Sequence, residues 1–325
     1  MIESIRKDKQ SFLLLDCGAV FNNQTDNAEL HLKAMDRMGY DALNLGIPEL
    51  SFGMAFLERT RSQVSFPYIA SNLLYGGSRL PWTREYIMKE VGGIKVAILG
   101  ILDPNNLQQI PRRDDVKGFE ITSPEAALDR LLPEVRGKAD LVVLLSQLDE
   151  TKTRALVGAV WGIDVAIFSK RDYRVKPSGE NVILLQAISE GMTLGLVTVT
   201  LDDKEALSVS KRKDVLLDDS VPDNGEILAL VEMYKKEQEI KEEKKKKELM
   251  EGLQLTPEEF MERYRKKQTE QKKRDLSYKE RFWVIKSPDF YDLIHNEPKW
   301  GGVIMDNLAQ IMASRFKGSE DFPNL

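Results

Sequence analysis

Residues 38–53 read MGYDALNLGIPELSFG, and this stretch holds one turn of an alternating fold. Just before it, Asn27 to Met38 sets Leu30, Ala34, Met35 and Met38 along one stripe of a helix, which Gly39 stops. The run YDALNL is then short and apolar enough for a buried strand, and Gly46 with Pro48 breaks it. A helix, a glycine turn, a strand and a glycine-proline loop follow one another without a linker.

The same rhythm runs outward in both directions. FLLL from 12, FPYIASNLL from 66, KVAILGIL from 95, DLVVLL from 140, DVAIF from 164 and VILLQA from 182 are apolar at successive positions. Such runs suit strands covered on both faces, and their alternation with helices predicts a layered α/β domain. A helix from Ser123 to Val135 opens as Ser-Pro-Glu, a cap followed by proline at the first helical position. VILLQA and GLVTVTL, joined by Ser189 to Thr193, are expected to be neighbours that close the sheet, with Gly191 and Gly195 in the turn.

Near residue 220 the texture changes, so a boundary is expected between 1–220 and 221–325. Asn224 to Leu253 is one long helical pattern, and Thr256-Pro-Glu-Glu has the form of a capping box opening a second helix. From Lys235 to Arg274 the charges mix closely in sign, which fits an exposed helix or a coiled-coil flank and offers no clean basic face for nucleic acid. The segment 278–325 carries Phe282, Trp283, Phe290, Tyr291 and Trp300, so 221–325 is expected to dock on a protein partner or on a second copy.

Composition narrows the chemistry. The 47 basic and 52 acidic side chains leave a net charge of −5, with no global field for nucleic acid or an anionic membrane. The single cysteine, Cys17, excludes an internal disulfide and a cysteine zinc cluster, and without a histidine partner it reads as a small apolar side chain rather than a nucleophile. Only His31 and His295 carry imidazole. No apolar run is long enough to span a bilayer, and Phe12 to Leu15 is too short for a signal-peptide core. As written, the chain reads as cytoplasmic, or as periplasmic or extracellular if an upstream signal precedes it.

The stretches LLLDCGAVF, MGYDALNLGIPELSFG, FPYIASNLL, GGIKVAILGIL, ADLVVLLSQLDE, GIDVAIFSKRD and VILLQAISEGMTLGLVTVTLD resemble, in order, those of the calcineurin-like metallophosphoesterases, in their 5′-nucleotidase (UshA-like) branch. The resemblance implies a four-layer α/β/β/α sandwich with two metal ions at the carboxyl ends of its strands. Two-metal hydrolysis needs hard or imidazole ligands holding ions about 3.5–4 Å apart, and a bridging hydroxide as nucleophile.

The resemblance also locates where those ligands would stand. The family's Gly-Asp is Gly18-Ala19, and its Gly-Asn-His-Glu is Gly46-Ile47-Pro48-Glu49. Ser-His becomes Ser146-Gln147, and Gly-His-x-His becomes Ser169-Lys170-Arg171-Asp172. Ala19, Ile47 and Pro48 have no donor atom on the side chain, and Lys170 brings a positive charge. The family's Asp-x-His strand has no counterpart in the sequence, and its C-terminal substrate domain is not recognisable. Asp16, Glu49, Asp103, Asp149 and Asp172 remain near the cleft by this comparison, as ordinary loop and strand-end acids whose replacement, for Glu49 or Asp172, is expected to be silent. Lys170, Arg171 and Arg174, with Lys176, form a basic loop able to hold a phosphate-bearing small molecule without hydrolysing it.

These readings point to a catalytically degenerate member of the family, kept as a binding or assembly module with no cofactor. The alternative is a metal-dependent phosphoesterase acting on a phosphate ester through an altered site.

Overall fold

The computed structural model describes residues 2–8, 11–21, 25–109, 116–170, 182–187, 193–201, 207–218 and 220–253, and beyond them 256, 258–259, 262 and 265–266. Along the chain come α1 (Ile2–Asp8), β1 (Leu15–Asp16), α2 (Thr25–Met38), β2 (Ala42–Asn44), α3 (Ile47–Leu50) and α4 (Met54–Arg61). Then follow β3 (Tyr68–Ile69), β4 (Leu73–Tyr75), β5 (Thr83–Arg84), β6 (Tyr86–Val91), β7 (Ile94–Ile101) and β8 (Phe119–Ile121). The next elements are α5 (Pro124–Arg136), β9 (Leu141–Asp149), α6 (Glu150–Ala159), β10 (Val165–Lys170) and β11 (Ile183–Gln186). The described elements end with β12 (Thr193–Leu201), β13 (Leu207–Leu216) and α7 (Gly225–Leu253).

Two sheets face each other. The first has the order β1-β2-β3-β5, all parallel, and the second β11-β10-β9-β7-β6, parallel except for β6. Strand periodicity sends alternate side chains to opposite faces, and each face has its own core. Leu43 and Tyr68 turn outward onto α2 and α4, meeting Ala28, Leu32, Met35 and Leu57. Ala42 and Ile69 turn inward onto Val96, Ile98, Val143, Leu145 and Val165 of the opposite sheet, with Cys17 beside them. Ala97, Leu99, Val142 and Leu144 face the far side, against Leu128, Leu131 and Val135 of α5 and Leu156 and Val157 of α6. The arrangement is the expected α/β/β/α sandwich. In α2 the fully buried stripe is Ala28, Leu32 and Met35, so the helix is rotated from the stripe through Leu30 and Ala34, which stay half-buried.

Two pairings differ from the sequence reading. FPYIASNLL is two strands: Asn72 turns the chain after β3 by donating to the carbonyls of Leu102 (3.0 Å) and Thr122 (2.9 Å) and accepting from Leu102 N–H (2.9 Å). That turn places β4 against β8 in a separate antiparallel pair. VILLQA and GLVTVTL are not neighbours among the described residues; β11 pairs with β10, and β12 pairs antiparallel with β13. The strand Leu207–Leu216, absent from the sequence reading, is the partner that β12 takes instead.

The chain divides into two units, Met1–Glu237 and Gln238–Leu325. In the first, Asn224 caps α7 by accepting from the N–H groups of Glu226 (3.0 Å) and Ile227 (3.1 Å), and Leu230 is buried. Within the second, Lys244 and Glu248 pair at 3.8 Å, and Thr256 and Glu259 exchange the hydrogen bonds of the expected capping box. No helix among the described residues is long and apolar enough to cross a membrane.

Candidate functional site

The loops after β1, β2, β7 and β9 gather around Asn44, the last residue of β2. Its buried amide nitrogen lies within hydrogen-bonding distance of three carbonyls, Cys17 O (3.2 Å), Ile101 O (3.2 Å) and Leu145 O (3.3 Å), which joins strand ends from both sheets. The Gln147 side chain also donates to Cys17 O. Gly18 has no room for a side chain here, because a Cβ would lie 2.3 Å from Asn44 O, and its φ of +89° is itself glycine territory.

The next residue, Ala19, has φ +64°, the one positive value at a non-glycine among the described residues. Ala19 is exposed, and its methyl brings no donor. Ile47 and Pro48, half-buried in the first turn of α3, bring none either, and Ile47 packs against the core beneath α2 and α4. Phe21, Phe52 and Phe56 meet nearby edge to face or tilted, with ring centroids 4.7–5.9 Å apart.

The acids do not converge. Glu49 is fully buried and accepts from the backbone N–H groups of Val20 (2.8 Å), Phe21 (3.1 Å), Ala19 (3.0 Å) and Gly46 (2.8 Å). Burial pushes its carboxyl above the ordinary glutamate value, with those donors pulling the other way. Asp16, at the end of β1, accepts from Gly18 N–H at 2.8 Å; burial, opposed by that bond and aided by the Glu49 charge, pushes it up to about 6. Burial and the charge of Asp16 together raise the Tyr40 phenol.

Asp103 is buried and bonds the Lys152 ammonium at 2.6 Å and Asn105 N–H at 3.0 Å. Burial alone would raise it, but Lys152 and Asn105 outweigh that and hold it below the ordinary aspartate value. Asp149 caps α6, accepting from Lys152 N–H at 2.8 Å. Lys170 ends β10 in register with Asp149, while Arg171, Asp172, Arg174 and Lys176 lie outside the described residues.

Glu49 is thus neither a loop nor a strand-end acid but a buried residue of α3. It sits inside the protein and ties two loops together. The sequence held a signal for this: in Gly46-Ile47-Pro48-Glu49 the two residues with backbone duties match the family, and the two that would touch ions do not. Among the described residues no three His, Cys, Asp or Glu side chains are grouped to hold an ion. The donor atoms of the cleft, as described, do not fit a metal pair, because the carboxylates are spent on backbone N–H groups and on Lys152.

His31, on α2, is half-buried; burial pushes it below the ordinary histidine value, and its Nδ1 meets no partner among the described residues. Cys17 is buried, its Sγ 3.3 Å from Ile167 O, and burial raises its thiol.

No protein-family model matches the sequence. The chain is 28% identical over 229 residues to the uncharacterized metallophosphoesterase YunD of Bacillus subtilis, covering 66% of this chain and 48% of that protein. It is 24% identical over 264 residues to a 5′-nucleotidase of Rattus norvegicus, covering 72% and 45%. The chain thus spans about half the length of these two relatives. Among solved structures, the 5′-nucleotidase precursor from Thermus thermophilus superposes with a TM-score of 0.61 at 21% identity, over 74% of this chain and 52% of that one. The calcineurin-like phosphoesterase YfkN from Bacillus subtilis gives 0.58 at 18% identity, over 73% and 86%. In sequence the chain is similar to metallophosphoesterases and 5′-nucleotidases, and its sandwich of two sheets is the fold of the calcineurin-like phosphoesterases.

Proposed function

We propose that the chain is a catalytically degenerate 5′-nucleotidase-like metallophosphoesterase that serves as a binding or assembly module. One observation carries the reading: the loops that would present ligands are held in place by Glu49 and Asn44, yet Ala19, Ile47 and Pro48 offer nothing for an ion to bind. Were it active, the relatives imply a hydrolase of phosphate esters. The basic residues Lys170, Arg171 and Arg174 favour a phosphate-bearing small molecule as ligand. The segment 221–325 favours a protein partner or a second copy.

Metal content separates the two classes of function. Purified protein is incubated with manganese, zinc, magnesium and calcium, desalted, and measured by mass spectrometry alongside a nucleotide phosphatase assay. The expected result is no retained transition metal and no turnover. Two equivalents of bound metal with phosphate release would show an enzyme working through an altered site.

A further inference from the structure

The clasp around Glu49 has the form of a binding site with its ligand already in it. Four N–H groups from two loops converge on one carboxylate: Val20 and Phe21 on Oε1, Ala19 and Gly46 on Oε2, at 2.8–3.1 Å. Donors that converge in this way, displayed by consecutive residues whose chain passes through positive φ, form a concave nest for an anion. Here Gly18 and Ala19 supply the positive φ, at +89° and +64°.

The pocket is shaped to its occupant. A Cβ on Gly46 would stand 2.7 Å from Glu49 Oε2 and 2.7 Å from Ala19 N, so only glycine lets the carboxylate in so close. Glu49 forms no ion pair among the described residues, and its side chain has no exposure. The hydrogen-bond donors to the group are backbone N–H groups. A ligand with two oxygens in one plane satisfies all four donors, which selects the carboxylate class over a spherical halide.

We propose that residues 18–21 with Gly46 form an anion-binding nest whose ligand is the chain's own Glu49, and that this carboxylate is the positioning group that sets the shape of the cleft floor. The inference stands apart from the question of catalysis, since it concerns a loop that would be held in an enzyme and a pseudoenzyme alike.

Chemical rescue tests it. Glu49→Ala removes the ligand and leaves the nest, so full-length protein is compared in sodium formate and sodium chloride at matched ionic strength, by thermal unfolding and by hydrogen exchange at the amides of Ala19, Val20 and Phe21. In chloride the variant should melt lower than the parent and lose protection at those amides. In formate both should move back toward the parent, while the parent itself responds equally to the two salts. Equal behaviour of the variant in formate and chloride overturns the proposal, as does undiminished protection at residues 19–21. Should Glu49→Ala fail to fold in chloride, refolding that succeeds in formate supports the nest. Glu49→Gln keeps the slot filled with one acceptor; it should fold, show no response to formate, and weaken protection only at the amides facing its nitrogen. Full protection of all three amides in Glu49→Gln, together with no formate-assisted refolding of Glu49→Ala, counts against it.

Discussion

Ala19 holds a left-handed backbone without the help of a polar side chain. That conformation costs an L-residue about 1–2 kcal/mol, and glycine in an unfolded chain gives back about 0.5–1 kcal/mol of that advantage through its extra freedom. Ala19→Gly should therefore stabilise the protein by about 0.5–1 kcal/mol, read as a higher urea midpoint at unchanged slope. A lower midpoint would mean that the methyl packs against something and that the strain is repaid. Asp16 gives the second residue-level expectation. Its folded value of about 6 lies above the ordinary 3.8, so the native state binds the proton more tightly. The associated stabilisation is fully present below the unfolded value and is lost as pH rises through about 6, an effect of at most about 3 kcal/mol. Asp16→Asn keeps an acceptor for Gly18 N–H and removes the titration. The difference in unfolding free energy between parent and variant should move in the variant's favour from about pH 4 to about pH 7; a difference independent of pH would show that Asp16 ionises normally. At this scale the sequence was legible for Ala19, Ile47 and Pro48, because a side chain without a donor atom is visible in the letters. For Glu49 the only signal was the match to the family motif, because a carboxylate by itself reads the same whether it faces water or a ring of N–H groups.

Among the elements, those with their own punctuation were readable. α5 begins at Pro124 with Ser123 accepting from Ala126 N–H, as the Ser-Pro-Glu start requires, and α7 begins just after its cap at Asn224. The apolar runs from 95, 140 and 164 are β7, β9 and β10, buried on both faces. Pairing is another matter. Nothing in VILLQA says which strand lies beside it, and β12 takes β13 because a neighbour close in sequence can form an antiparallel ladder with little loop closure. The break inside FPYIASNLL rests on the Asn72 amide. Asn72→Ala removes all three of its side-chain bonds to Leu102 and Thr122 and leaves buried backbone groups unpaired. The cost should be about 2–4 kcal/mol in chemical denaturation, larger than a surface substitution and comparable to a core truncation. A loss below about 0.5 kcal/mol would place the turn under the control of the strands rather than of this side chain.

For the whole molecule, the order of strand and helix patterns was enough for a layered α/β domain, since each layer buries a face that the sequence marks as apolar, and the family resemblance supplied the sandwich of two sheets. The boundary carries a practical consequence for association. Residues 224–230 belong to the first unit, with Asn224 bonded to Glu3 at 2.9 Å, Arg37 near Glu226 at 3.8 Å, and Leu230 buried. A deletion beginning at 221 would strip those contacts and confuse loss of a partner with loss of fold. Truncation after Glu237 is the cleaner experiment: the sandwich should keep its unfolding midpoint, and association measured by light scattering or by co-purification should disappear. Association that survives the cut would move the docking surface onto the sandwich.

Cys17 offers a last consequence. It is the chain's sole thiol, it lies among residues of both sheets, and its Sγ rests 3.3 Å from Ile167 O across the sandwich. A reagent in solution can reach it only when the structure around it opens, so the protein carries an internal clock for that opening. Under excess reagent the rate of thiol modification equals the rate of opening, and in the slow-reaction limit it gives the opening equilibrium. No label, mutation or added chromophore is needed to read the time.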